Sequence, residues 1–284
     1  MVNYILYSIG EFLVLFLPVC IGYALAWILS SCQYVFSRVD RAVVKGNLQA
    51  IFPNIEKKRL KKYTKGVFIS FGLYLADFFR TQKIGLAYIK KYVRLEGQEH
   101  IDQALAQGKG LILVSAHIGN WEMGAICLGL LGYPVNAVAL THKHKRVDDF
   151  FNRQRESKGV RVIPVQGAVR GCLEAFSRNQ IVCLVGDRDF TQGGITAEFF
   201  GKPAMIPKGP AVFSIRNKVP IVCCFTIRQG LRGFRFFFNP IIRFVPSGEY
   251  EKDIQALTGL YLRQIEDCIR LYPGQWAMFR RFWV

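Results

Sequence analysis

The sequence predicts an α/β fold: a single sheet flanked by helices, preceded by an N-terminal membrane-anchoring helix. Three features predict it. From Gly108 onward short apolar runs alternate with amphipathic stretches, residues 12–29 carry no charge, and 38 basic against 20 acidic residues leave a net charge of +18. With 284 residues and 51% hydrophobic content, the chain can bury one sizeable core or two small ones and is not a disordered protein.

The uncharged run Phe12 to Leu29 would reach about 27 Å as a helix, enough for a transmembrane span. Pro18 and Gly22 would bend or loosen it and Glu11 sits at its edge, so a helix lying in one leaflet is the alternative. Ala24-Leu25-Ala26 imitates a signal-peptide cleavage site, but no Lys or Arg precedes the run and the apolar stretch continues past it. Residues 38–65 then hold nine Lys or Arg against Asp40 and Glu56. The positive-inside rule places the body on the cytoplasmic side of the inner membrane, and a basic segment beside an apolar anchor fits anionic lipid better than nucleic acid. The eight cysteines are scattered, mostly among apolar neighbours and without a CxxC pair, which reads as buried thiols in a reducing compartment and not as disulfides or a metal site.

The anchor is assigned to residues 1–37 and the remaining domain to 38–284, with a helical basic segment over 38–100 and an α/β core over 101–284. Residues 45–80 space Leu48, Ile51, Phe52, Val67, Phe68, Phe71, Leu75, Phe78 and Phe79 as amphipathic helices do. Strands are then expected at 110–116, 135–140, 160–165 and 181–186, with helices at 120–131, 147–158 and 167–178 between and around them. A loop over 187–207, a helix from Lys208 toward 217, strands at 219–227 and 234–239, and an amphipathic helix over 249–271 complete the prediction.

Chemistry concentrates behind the apolar run Leu111–Val114. His117 and Glu122 stand five residues apart, so they meet only if the chain turns between them, and Gly119-Asn120 can supply that turn. A carboxylate on one ring nitrogen leaves the other as a base for a hydroxyl proton. The spacing alone is weak: His144 and Asp149 repeat it inside a charged segment that reads as a solvated face, and His117 could simply cap a strand. A second cluster follows the 181–186 strand, where Asp187-Arg188-Asp189 precedes Lys208 at a helix start; Arg188 and Lys208 could hold a phosphate, or the turn could pair with itself. There is no GxSxG elbow, no GxGxxG after a first strand and no P-loop.

The string GKGLILVSAHIGNWE, the Asn47-Leu48…Phe52-Pro53 segment, the Asp187-Arg188-Asp189 turn, FFGKPAMIPKGPA and QWAMFRRFW together resemble the bacterial lipid A biosynthesis acyltransferases, within the wider glycerolipid and lysophospholipid acyltransferases. The resemblance runs in order over nearly the whole chain. It implies a glycerolipid acyltransferase-like fold and an O-acyltransferase acting on a lipid A precursor, with an acyl carrier protein or coenzyme A thioester as donor and neither cofactor nor metal. It implies His117 as general base, Glu122 orienting it, N–H groups near Asn120 and Trp121 for the oxyanion, and Arg155, Arg188 and Lys208 for acidic groups. Asp-Arg-Asp departs from the Asp-Gln-Asp of many lipid A enzymes and looks more like phosphatidylinositol mannoside acyltransferases, where Glu198 resembles an acid behind the histidine. Met278 stands where an aromatic is common. Acceptors of that second kind, a lysophospholipid, or a silent basic protein that only binds lipid or nucleic acid are the alternatives.

Overall fold

In the computed structural model, which describes residues 2–189 and 193–283, the uncharged N-terminal run is not one helix. It divides into α1 (Val2–Phe16) and α2 (Val19–Phe36) at Pro18, which lacks the N–H a continuous helix needs and pushes its predecessor out of helical geometry. The expected helix over 12–29 is corrected accordingly. Among the described residues, α2 alone is long and apolar enough to cross a membrane, with 17% of its span buried. Cys20 and Cys32 lie on its exposed face, whereas the other six cysteines are wholly or partly buried, with no disulfide.

Next come α3 (Arg38–Ile51), α4 (Lys57–Phe79), α5 (Leu86–Tyr92), β1 (Val93–Glu96) and α6 (Glu99–Leu105). β1 joins the main sheet, so the segment expected to be helical over 38–100 contributes an edge strand. The alternation follows as β2 (Leu111–Ser115), α7 (Trp121–Leu130), β3 (Val135–Ala139), α8 (Lys145–Glu156), β4 (Val160–Pro164), α9 (Ala168–Ser177) and β5 (Ile181–Val185). The expected loop over 187–207 contains an antiparallel hairpin, β6 (Ile195–Phe199) and β7 (Lys202–Ile206); its residues 190–192 lie outside the described residues. α10 (Gly209–Asn217), β8 (Ile221–Gln229), β9 (Gly233–Phe238) and α11 (Tyr250–Leu271) close the chain before a short turn at Pro273–Gln275.

The seven-stranded sheet has the order β1-β9-β8-β2-β5-β3-β4. β8, β2, β5, β3 and β4 run parallel to their neighbours in that row, and β9 reverses against β8. Both faces are covered. Ile112 and Val114 of β2 pack with α11 residues such as Leu257, Tyr261 and Ile265, while Leu111 and Leu113 pack with Ile126 and Leu128 of α7. Hence β2 is a continuous apolar run and not an alternating one.

The N-terminal helices attach through α4 and α8. Tyr7, Phe79, Phe150 and Phe151 form an aromatic cluster with ring centroids 5.5–6.1 Å from Tyr7. Glu11 accepts from Gln82 at 2.9 Å and from Gln154 at 2.5 Å. The opposite side of α1 is apolar and exposed: Ile5, Leu6, Ile9, Phe12, Leu13 and Phe16.

Candidate active site

Ser115 of β2 and Val185 of β5 are register partners in neighbouring parallel strands. Two residues beyond each, at the carboxyl ends where open α/β sheets hold ligands, stand His117 and Asp187. His117 Nδ1 lies 2.7 Å from Asp187 Oδ1, and the His117 backbone N–H donates to Oδ2 at 3.1 Å. The Trp276 indole N–H donates to Oδ2 at 3.0 Å. Asp187 is fully buried. Burial alone would raise its carboxyl pKa, but His117 and Arg188 beside it and the indole bond outweigh burial and hold it down to about 2.

The turn between His117 and α7 is built from both sides. Gly119 has φ +63°, and a Cβ there would come within 2.1 Å of the Thr226 carbonyl oxygen of β8, so no other residue fits. Its N–H donates to the Gln275 carbonyl at 3.0 Å, and the Asn120 N–H donates to Thr226 O at 2.8 Å. Asn120 caps α7 by accepting from the Met123 N–H at 3.0 Å, while its Nδ2 donates to Asp77 at 3.0 Å. Asp77 also accepts from Tyr23 at 2.5 Å and from Arg228.

Three expectations are corrected here. The Asn120 backbone N–H, a candidate oxyanion donor, is occupied by β8. That of Trp121 is at the first helical position, where donors have no intrahelical partner. Glu122 does not turn back to His117. Lying one residue further along the helix, it faces α8, where Arg155 Nε and Nη2 reach its two oxygens at 2.9 and 2.7 Å. Arg155, expected to hold a substrate anion, is thus engaged inside the protein, with its guanidinium 5.8 and 6.0 Å from the ring centroids of Phe78 and Phe151. Burial works against its charge, but Glu122 outweighs that and raises its pKa.

The family model for bacterial lipid A biosynthesis acyltransferases matches residues 1–284. The chain belongs to that family. This acyltransferase is 30% identical over 221 residues to the phosphatidylinositol mannoside acyltransferase of Mycobacterium tuberculosis, covering 76% of this chain and 68% of that one. It is 22% identical to the lipid A biosynthesis palmitoleoyltransferase of Escherichia coli, covering 75% and 70%. To the lipid A biosynthesis lauroyltransferase of the same organism it is 25% identical, covering 63% and 58%.

The remaining predicted residues of the acyltransferase divide by position. Trp121 walls the site: its ring lies 5.0 Å from that of His117 and stacks at 4.3 Å on Tyr74, whose hydroxyl burial pushes well above its ordinary pKa. Arg188 donates to the Ala277 carbonyl, and its buried Nε has no hydrogen-bond partner among the described residues. Asp189 accepts from the Gly194 N–H at 3.0 Å and so shapes the loop. Glu198 and Lys208 are exposed, on β6 and at the start of α10. No hydrogen bond or ion pair among the described residues joins either to His117, and the carboxylate behind that ring is Asp187, not Glu198. No group of three or more metal-ligating side chains occurs among the described residues.

Sequence reasoning missed Trp276 and the tie that seats it. Ile118 bridges to Trp276, and the Ala277 N–H donates to the His117 carbonyl at 2.8 Å. Asn47 of α3 donates to the carbonyls of Met278 and Arg280 at 3.2 and 2.8 Å and accepts from the Phe282 N–H at 3.2 Å. The signal was present: the Asn47 and QWAMFRRFW strings carried the resemblance, but their meeting at the site depends on the fold.

Proposed function

We propose that this acyltransferase moves a fatty acyl chain from a thioester to a hydroxyl of a glycolipid at the membrane surface, with His117 as general base and Asp187 as the carboxylate that orients it. The observation that carries this reading is the 2.7 Å contact from His117 Nδ1 to a buried carboxylate held near pKa 2. Asp187 fixes the tautomer, so Nε2 accepts the acceptor's proton as its oxygen attacks the thioester carbonyl. The tetrahedral intermediate collapses by breaking the C–S bond. The imidazolium returns its proton to the departing thiolate, leaving an ester and a thiol. The Trp121 N–H and the unpartnered Arg188 Nε are the donors best placed to meet negative charge.

Membrane attachment follows from the exposed apolar face of α1 together with α2. Leaving that many large side chains in water forgoes several kcal/mol that a lipid surface would return. A lipid A precursor is the acceptor expected from the motifs. A phosphatidylinositol mannoside type of acceptor is the second reading, favoured by Arg188 in the Asp-Arg-Asp turn and by the 30% identity to the mycobacterial enzyme.

Detergent-solubilised wild type and His117→Ala should be incubated with acyl carrier protein and coenzyme A thioesters and both acceptor classes, with mass spectrometry as readout. Wild type should add one acyl chain to one acceptor, and His117→Ala should be slower by roughly 10³–10⁴-fold. Equal turnover by the variant would remove His117 from the chemistry. No transfer by folded wild type to any acceptor would favour a binding protein.

A further inference from the structure

A cavity of about 710 Å³ opens between α2, α4 and the turn at 273–275, and none of His117, Trp121 or Asp187 lines it. Its rim carries Lys58, Lys61, Lys62 and Lys65. Their spacing of three and four residues sets four ammonium groups along one face of α4, where like charges repel. No ion pair engages any of the four among the described residues, and no acidic side chain lines the cavity among them. Its apolar surface includes Trp27, Ile69 and Leu73. Trp27 joins two environments: its ring lies 5.1 Å from Lys65 Nζ, and it is one of the exposed apolar side chains of α2, next to Ile28 and Leu29.

We infer that this cavity is a second lipid site, separate from the catalytic one, that takes the phosphate headgroup of an anionic phospholipid while its acyl chains follow the apolar face of α2. The inference rests on the membrane-surface reading of α1 and α2. Three observations select this occupant. The rim has cationic charge without internal neutralisation, which calls for an anion. The volume falls within the range of small-ligand pockets. Trp27, which lines the cavity, also stands among the exposed apolar side chains of α2, as a ligand with a charged head and hydrocarbon tails requires. The far wall contains Arg228 and Gln275, the residues that hold Asp77 and the Gly119 N–H, so the two sites stand back to back.

The test is native mass spectrometry of the full chain released from detergent micelles containing dioleoyl phosphatidylglycerol or dioleoyl phosphatidylcholine. Phosphatidylglycerol should be retained at least tenfold over phosphatidylcholine. Lys61→Gln/Lys65→Gln should reduce that retention at least fivefold. So should Ser70→Phe, which fills the cavity without changing charge, provided its near-ultraviolet circular dichroism matches wild type. Arg38→Gln/Lys45→Gln, which removes two charges outside the cavity, should not. Equal retention of the two lipids, or equal loss in the Arg38/Lys45 control, would overturn the assignment. Displacement of the lipid by millimolar inorganic phosphate or by acyl carrier protein would assign the rim to a free anion or to a protein instead. The micelle measurement needs no bilayer, so failure of wild type to float with phosphatidylglycerol vesicles would count against the membrane reading separately.

Discussion

Asp187 and Glu122 are both buried carboxylates beside the turn that follows β2, and each is engaged through both oxygens, yet their partners make them different devices. Glu122 faces a guanidinium that keeps its charge at any working pH, so the pair can fix α7 against α8 but cannot pass a proton. Asp187 faces an imidazole, whose proton can move. The residue five positions from His117 became a brace, while the one 70 positions away became its partner. Strand register, not distance along the chain, decided which carboxylate reached the ring.

The sharpest way to break this contrast is to neutralise each acid in turn. Asp187→Asn should lower kcat by about 10³–10⁴-fold, because an amide holds the imidazole in the wrong tautomer. Steady-state acyl transfer by the folded variant is the measure, and near-normal turnover would return the orienting role to Glu122 or Glu198. Glu122→Gln should act on stability, since it leaves Arg155 charged and buried, at a cost of about 3–5 kcal/mol. Thermal unfolding in detergent would show this, and the apolar pair Glu122→Leu/Arg155→Met should recover most of the loss. A Glu122→Gln protein as stable as wild type but inactive would instead place Glu122 in the chemistry.

Acid should separate the pairs by a smaller margin. The folded pKa of Asp187, about 2, lies below the ordinary aspartate value of 3.8. Its ionised form therefore contributes stability that is fully present above pH 4 and lost as pH falls toward 2. The contribution is about 2 kcal/mol. Wild type should lose that much more than Asp187→Asn between pH 5 and 2 in denaturant titrations, and parallel curves would mean the dyad is not held as described.

Much of the α/β core was legible because buried parallel strands leave an unmistakable mark. The runs at 111–115 and 181–185 are apolar on both faces, and Gly or Asn closes the segments between them. β1 was not legible: Val93–Glu96 sits in basic surroundings at a sheet edge, where only one flank needs pairing. The β6–β7 hairpin hid behind Gly201-Lys202-Pro203, since a proline inside a run argues against a strand. His117 and the Gly119-Asn120 turn could be read locally. Asp187 was singled out, but for anion binding, because nothing local tells that β2 and β5 are neighbours. Arg155 was misassigned for a related reason: an arginine's partner on another helix leaves no trace in its own segment.

The tie between Asn47 and the stretch 278–282 spans sequence separations of 231 to 235 residues. Synthesis runs from the amino end, so α3 is made long before the stretch it ties to exists. A nascent chain that already carries His117 and Asp187 still lacks the indole that completes the acid's hydrogen bonds. Closing so long a loop is slow. The order of manufacture thus makes the site one of the last parts of the molecule to come together.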